Sequence, residues 1–233
     1  MLSNYKTAFR MVSGLLFAAL TLSYFSQDLH AAEPEAGFTS LFDGKTLQGW
    51  SYVPRIKAPG HYLAANNIII CPSNTWGVLM SAGEYSDFVL RLDYKLEAGG
   101  NNGVLVRTTL LSTNKMDSGV EIQMLDDKAP KHEHLKPYQY NGSVYGIVPA
   151  HDGAPKIDEW NTEEITCIGQ HYKVVLNGKV IVDADLTDPQ YEEGFKSHAG
   201  AHHLRGHIGF MGHGDYFEFR NIRIKEIVPE MKK

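Results

Sequence analysis

Residues 171–183 read HYKVVLNGKVIVD, two runs rich in β-branched residues separated by Asn177-Gly178. Asn-Gly tolerates the positive φ angles of a type I′ turn, the tightest connection between antiparallel strands, so the stretch is a β-hairpin. The same texture extends in both directions. Short apolar or alternating runs, broken by Gly, Asn, Asp and Pro, predict strands at Ile68–Cys71, Phe88–Leu96, Gly103–Thr108, Val120–Leu125, Glu164–Ile168, His171–Leu176, Lys179–Asp183, Gly206–Met211 and Tyr216–Ile227. Helical periodicity is nearly absent, and no repeat or low-complexity linker divides the chain. Many strands at close spacing make this an all-β protein, an antiparallel sandwich or barrel.

The N-terminus has a different character. Lys6 and Arg10 precede the apolar run Met11–Leu22, and the small residues Ala31 and Ala32 follow. The run falls short of the roughly 20 residues that a membrane span requires. It predicts a signal peptide over residues 1–32 and a single domain over 33–233, exported to the periplasm or secreted and not held at the membrane after cleavage. A net charge of −5 argues against a nucleic-acid partner. The two cysteines, Cys71 and Cys167, sit in apolar strand-like runs and read as core residues, with a disulfide as the alternative.

Chemistry concentrates around Val120–Asp126. Period-2 geometry puts Glu121 and Gln123 on one face, roughly 7 Å apart, and Ile122 and Met124 on the other. The apolar pair is expected between the sheets and the polar pair on a solvated or ligand-lined surface. Upstream, Gly99-Gly100-Asn101-Asn102-Gly103 delivers Arg107 to the end of an apolar strand, where it would clamp an anion or pair with a neighbouring carboxylate. Beside Glu121 it would hold that carboxylate ionised, which suits a base. Two irregular segments, Ser112–Ser118 and Asp126–Ile157, are long enough to carry function, and the second holds Tyr145 and His151. His213 lies in a Gly-rich turn at a strand end, a position with access to a cleft. The other histidines tempt a divalent-metal reading, but His202 and His203 are adjacent and would point opposite ways in a strand; no cofactor is required by the sequence. Trp50, Trp76 and Trp160 suit the core, Trp160 alternatively a sugar-stacking wall.

Several of these motifs fall in a familiar order. Phe38–Trp50 (FTSLFDGKTLQGW), Glu84–Phe88 with Arg91, Asn101-Asn102-Gly103 with Arg107, Glu121-Ile122-Gln123 with Asp126, Glu159-Trp160-Asn161, Leu176-Asn177-Gly178, Gly206–Phe210 and Phe219–Ile224 together resemble the 3-keto-disaccharide hydrolase domain family. The resemblance spans nearly all of residues 37–227. It implies a concanavalin A-like jelly-roll sandwich, related in shape to family 16 glycoside hydrolases, and glycosides oxidised at C3 as substrates. Family 16 enzymes carry E-x-D-x-x-E on one strand; here Glu121 is followed by Gln123, Leu125 and Asp126, so the second in-face carboxylate that double displacement requires is missing. A C3 ketone acidifies the C2–H, so one base suffices for elimination of the C1 substituent followed by hydration. The inventory then reads Glu121 as base, Arg107 and Gln123 as enolate stabilisers, His213 or His151 as proton donor, and Asp126 as a second candidate base. Asn101, Asn102, Tyr145 and Trp160 are expected to bind the sugar. A lyase that stops at the eliminated sugar, and a non-catalytic carbohydrate-binding module on the same fold, are the alternatives.

Overall fold

The computed structural model describes residues 35–56, 60–109 and 119–228, within one unit spanning Ala31–Lys233. The expected signal peptide and the segment Ser112–Ser118 lie outside the described residues. Among the described residues, two antiparallel sheets hold nearly all the regular structure.

The larger sheet has eight strands. Its order is β11 (Lys179–Asp185), β10 (His171–Leu176), β9 (Asn161–Ile168), β6 (Phe88–Leu96), β13 (Phe217–Glu226), β4 (Ile68–Cys71) and β3 (Leu63–Ala65), with β1 (Thr39–Ser40) paired to β13. The smaller sheet runs β2 (Trp50–Pro54), β5 (Trp76–Tyr85), β12 (Gly206–His213), β7 (Asn101–Thr108) and β8 (Val120–Leu125). Asn177 (φ 50°) and Gly178 (φ 83°) supply the left-handed turn between β10 and β11. The architecture is an all-β sandwich, one of the two forms the strand texture allows, and of the jelly-roll type that the family resemblance implies.

The inner faces pack on each other. Val104, Ile122, Met124, Ile208 and Phe210 from the smaller sheet share one core with Leu90, Leu92, Ile165, Phe217 and Phe219 from the larger. A file of rings crosses between the layers: Trp50 on Phe210 at 5.5 Å, Phe210 on Phe219 at 4.1 Å, Phe219 on Phe217 at 5.9 Å and Phe217 on Tyr94 at 6.5 Å between centroids. Offset aromatic contacts add to area burial, so this file ties the two sheets at their centres. Cys71 and Cys167 are free and buried. They lie on β4 and β9, with β13 and β6 between them, too far apart to bridge.

The longest strand of the smaller sheet escapes pattern reading. In β5, Val78, Leu79 and Met80 are all buried. Leu79 faces the core, while Val78 and Met80 join Leu105 and Met211 in a second apolar cluster on the outer face. With both faces covered, the alternation that marks a strand disappears. A short helix, Glu192–Ser197, is also absent from the sequence reading.

Candidate active site

The candidate site lies on the outer face of the five-stranded sheet. Register fixes which side chains share it: Leu105 pairs with Glu121, Gly103 with Gln123 and Asn101 with Leu125 across β7 and β8, and Phe210 pairs with Val104 across β12 and β7. Directly opposed residues in an antiparallel pair project to the same side. Glu121 and Gln123 therefore face out, while Ile122 and Met124, fully buried, face the core. Continuing that register along β12 and β7 sets Met211 opposite Gly103 one step on, and His213 opposite Asn101 three steps on.

Glu121 does not stand straight up from its strand. Its side chain lies over Gly103, where an added Cβ would come within 2.7 Å of Cγ and Cδ and closer still to Oε1. Glycine at 103 opens the lane through which the carboxylate crosses β7 toward β12. There Oε1 comes within 3.5 Å of Nε2 of His213, with no hydrogen bond between them. Glu121 Oε1, Gln123 Oε1 and Asn101 Oδ1 are buried oxygens that accept no hydrogen bond. Buried acceptors are normally satisfied, so three of them on one patch of sheet are an arrangement suited to a ligand rich in hydroxyl groups.

The segment after β8 builds the wall. Gln123 N donates to Ser143 O (3.0 Å), Gly142 N to Gln123 O (2.7 Å) and Tyr145 N to Glu121 O (2.9 Å), around a bridge between Ile122 and Val144. Residues 142–145 thus run as a makeshift strand beyond β8, placing Tyr145 beside Glu121. Gln139 Nε2 donates to the Tyr145 hydroxyl at 2.8 Å. Asn141 anchors the segment: its Oδ1 accepts from Leu125 N (2.8 Å) and its Nδ2 donates to Gly153 O (2.6 Å).

Five of the expected site residues are elsewhere. Arg107 has φ +52°, which breaks the alternation of β7 and turns the side chain inward. Fully buried, it donates through Nε to Ser86 O at 2.8 Å, also to Gly169 O, and through Nη2 pairs with Asp87 at 3.1 Å. It braces two turns and is not beside Glu121. Asp126 caps a turn: Oδ2 accepts from Gly99 N at 2.8 Å and Oδ1 from Lys128 N at 3.3 Å. Asn102 points into the core, with Nδ2 3.6 Å from Cys71 Sγ and Oδ1 accepting from Gly103 N. Trp160 lies against the outer face of the other sheet, its ring 3.9 Å from the Arg220 guanidinium and 5.3 Å from Lys95 Nζ. His151 is exposed and bonds through its backbone N to Ile181 O on β11, an edge of that same sheet.

The structure thus gathers Glu121, Gln123, Asn101, His213 and Tyr145. It adds Trp76, which pairs with His213 in register, and a Lys131–Asp215 ion pair at 3.1 Å from the turn after β12. Neither addition has a local signal: Trp76 reaches the site only because β5 pairs with a strand more than a hundred residues later. Among the described residues, no three His, Cys, Asp or Glu side chains converge as a metal-binding set. The histidines scatter, His202 onto the ring of Phe195 and His207 beside Glu84.

Comparison with known proteins bears on the family and the fold. The 3-keto-alpha-glucoside-1,2-lyase-like domain model matches residues 37–225. A 3-keto-disaccharide hydrolase of Bacteroides thetaiotaomicron is 23% identical, over 86% of this chain and 85% of its own length. A candidate glycosyl hydrolase of Parabacteroides distasonis, solved crystallographically, is 31% identical with a TM-score of 0.67, covering 82% of this chain and 99% of that one. The CBM66 carbohydrate-binding module of Bacillus subtilis shares the fold (TM-score 0.54, 14% identity, 76% of this chain and 96% of that one). The match along most of its length makes this chain a member of the 3-keto-alpha-glucoside-1,2-lyase-like domain family.

Proposed function

We propose that this protein is an exported enzyme that cleaves 3-keto-glycosides by removing the C2 proton. The observation that carries this reading is the lone Glu121 carboxylate, laid over Gly103 and 3.5 Å from His213, on a strand without a second in-face carboxylate. Asp126, one residue past the end of that strand, is spent on backbone amides.

Glu121 takes the proton from C2, and the C–H electron pair delocalises into the adjacent ketone as an enolate. The Gln123 carboxamide, 4% exposed and beside Glu121, is placed to donate to the enolate oxygen. Collapse of the enolate forms a C1–C2 double bond and breaks the C1–O bond, and His213 delivers a proton to the departing oxygen. Addition of water to C1, with return of the proton to C2, completes net hydrolysis; a lyase stops one step earlier. Asn101 and Tyr145 hold sugar hydroxyls.

The test uses a 3-keto-glucoside bearing deuterium at C2. A primary isotope effect, or washout of label into water, is the expected result. Label retained in the product, or equal rates on the unoxidised glucoside, overturns the reading. Product analysis in heavy-oxygen water separates hydrolase from lyase, and binding without turnover would leave a carbohydrate-binding module.

A further inference from the structure

Trp76 and Arg55 continue the site beyond His213. Trp76 lies next to His213 across β5 and β12, and Arg55 N donates to Trp76 O at 3.0 Å, extending the β2–β5 ladder by one residue. Across the sheet the outer face therefore presents Glu121, Asn101, His213, Trp76 and Arg55 in that order. From β8 to β5 is three strand spacings, about 14 Å.

Both residues are unlike their counterparts elsewhere in the molecule. Trp50 is buried in the core and Trp160 lies under two cations, whereas Trp76 is 37% exposed. Its ring rests on Gly214, where a Cβ would stand 2.7 Å from Cε2 and Cζ2. Among the described arginines, Arg91, Arg107, Arg205, Arg220 and Arg223 each pair with a carboxylate. Arg55 does not: its Nη1 contacts only the thioether of Met211, at 3.4 Å, and sulfur is a weak acceptor. An unpaired guanidinium beside an uncovered indole, on the face that carries the acid and base, has the composition of a sugar-ring subsite: an apolar plane for the C–H face and a fork of donors for the hydroxyls.

We infer that Trp76 and Arg55 form the leaving-group subsite, taking a second, polyhydroxylated ring. The assignment rests on the proposed reaction: with Glu121 acting at C2 and His213 at the glycosidic oxygen, the departing group extends past His213 onto Trp76.

The experiment compares a 3-keto-disaccharide with methyl 3-keto-glucoside for the wild type, Trp76→Ala, Trp76→Phe and Arg55→Gln. Trp76→Ala should lower kcat/KM on the disaccharide by about tenfold or more, chiefly through KM, and change the methyl glycoside by less than about twofold. Arg55→Gln should act in the same direction, and Trp76→Phe should recover part of the loss. Equal losses on both substrates, or none on either, overturn the assignment. A second readout needs no turnover. Titration with the unoxidised disaccharide should change tryptophan emission in the wild type and not in Trp76→Phe; an unchanged wild-type signal at saturation overturns the subsite. If the wild type cleaves neither keto-sugar, the reaction fails while this titration still decides the subsite. Circular dichroism confirms folding, and Trp76→Phe serves should Trp76→Ala unfold.

Discussion

The carboxylate of Glu121 occupies the space above Gly103, the position where any other residue of β7 would place its Cβ. The two are not in register, since Gly103 pairs with Gln123. Glu121 reaches His213 only by leaning along the sheet, and the missing side chain at 103 allows it.

Gly103→Ala should therefore behave as a remote deletion of the base. The added methyl meets the end of a flexible side chain and not backbone, so the fold should survive, with a melting temperature within a few degrees of wild type. Turnover should drop toward the level of Glu121→Gln, a loss on the order of 10²–10⁴. Steady-state kinetics beside a thermal melt would check this; a Gly103→Ala protein of full activity would show that the lean of Glu121 is unimportant.

Arg107→Ala should do the reverse. Its loss strips donors from Ser86 O and Gly169 O and leaves Asp87 without its cation. Asp87 is partly exposed, so the expected cost is about 2–3 kcal/mol rather than the full penalty of a buried pair. Denaturant unfolding measures the cost. The folded fraction should keep its kcat, which separates bracing from catalysis.

Glu163 gives the protein an alkaline weakness. It is fully buried, neither carboxyl oxygen has a hydrogen-bond partner, and burial pushes its pKa up to about 8. The folded protein keeps this proton where the unfolded chain has already lost it above about 4.5. Its contribution is intact below the unfolded value and declines as pH rises toward about 8, at up to about 1.4 kcal/mol per pH unit. Glu163→Gln should flatten that slope. A stability–pH profile identical in the variant would reject the assignment.

Export predicts a mature N-terminus between Ala31 and Glu35. Intact-mass measurement on protein recovered from the periplasm or medium should find it; full-length chain in the inner membrane would contradict cleavage.

Much of the frame is legible in the sequence because the decisive signals are local. Asn177-Gly178 specifies a turn within four residues, and Val120–Leu125 reveals its register through Ile122 and Met124. The site is less legible because it depends on which strands become neighbours. Arg107 looks catalytic from its place after an apolar strand, yet one positive φ carries it inward to Asp87. Asn101 and Asn102 are indistinguishable as letters; the pleat sends the first to the site and the second to Cys71. Trp76 acquires its position from a strand that pairs with it from the far end of the chain.

The makeshift strand at residues 142–145 bears on solubility. An uncovered β8 would present a free row of donors and acceptors, a template on which another copy could add a strand. Gln123 N and O and Glu121 O are instead already bonded to Ser143, Gly142 and Tyr145. The segment that walls the candidate site thus also blunts edge-to-edge association, and shortening it to admit larger ligands would expose the chain to aggregation.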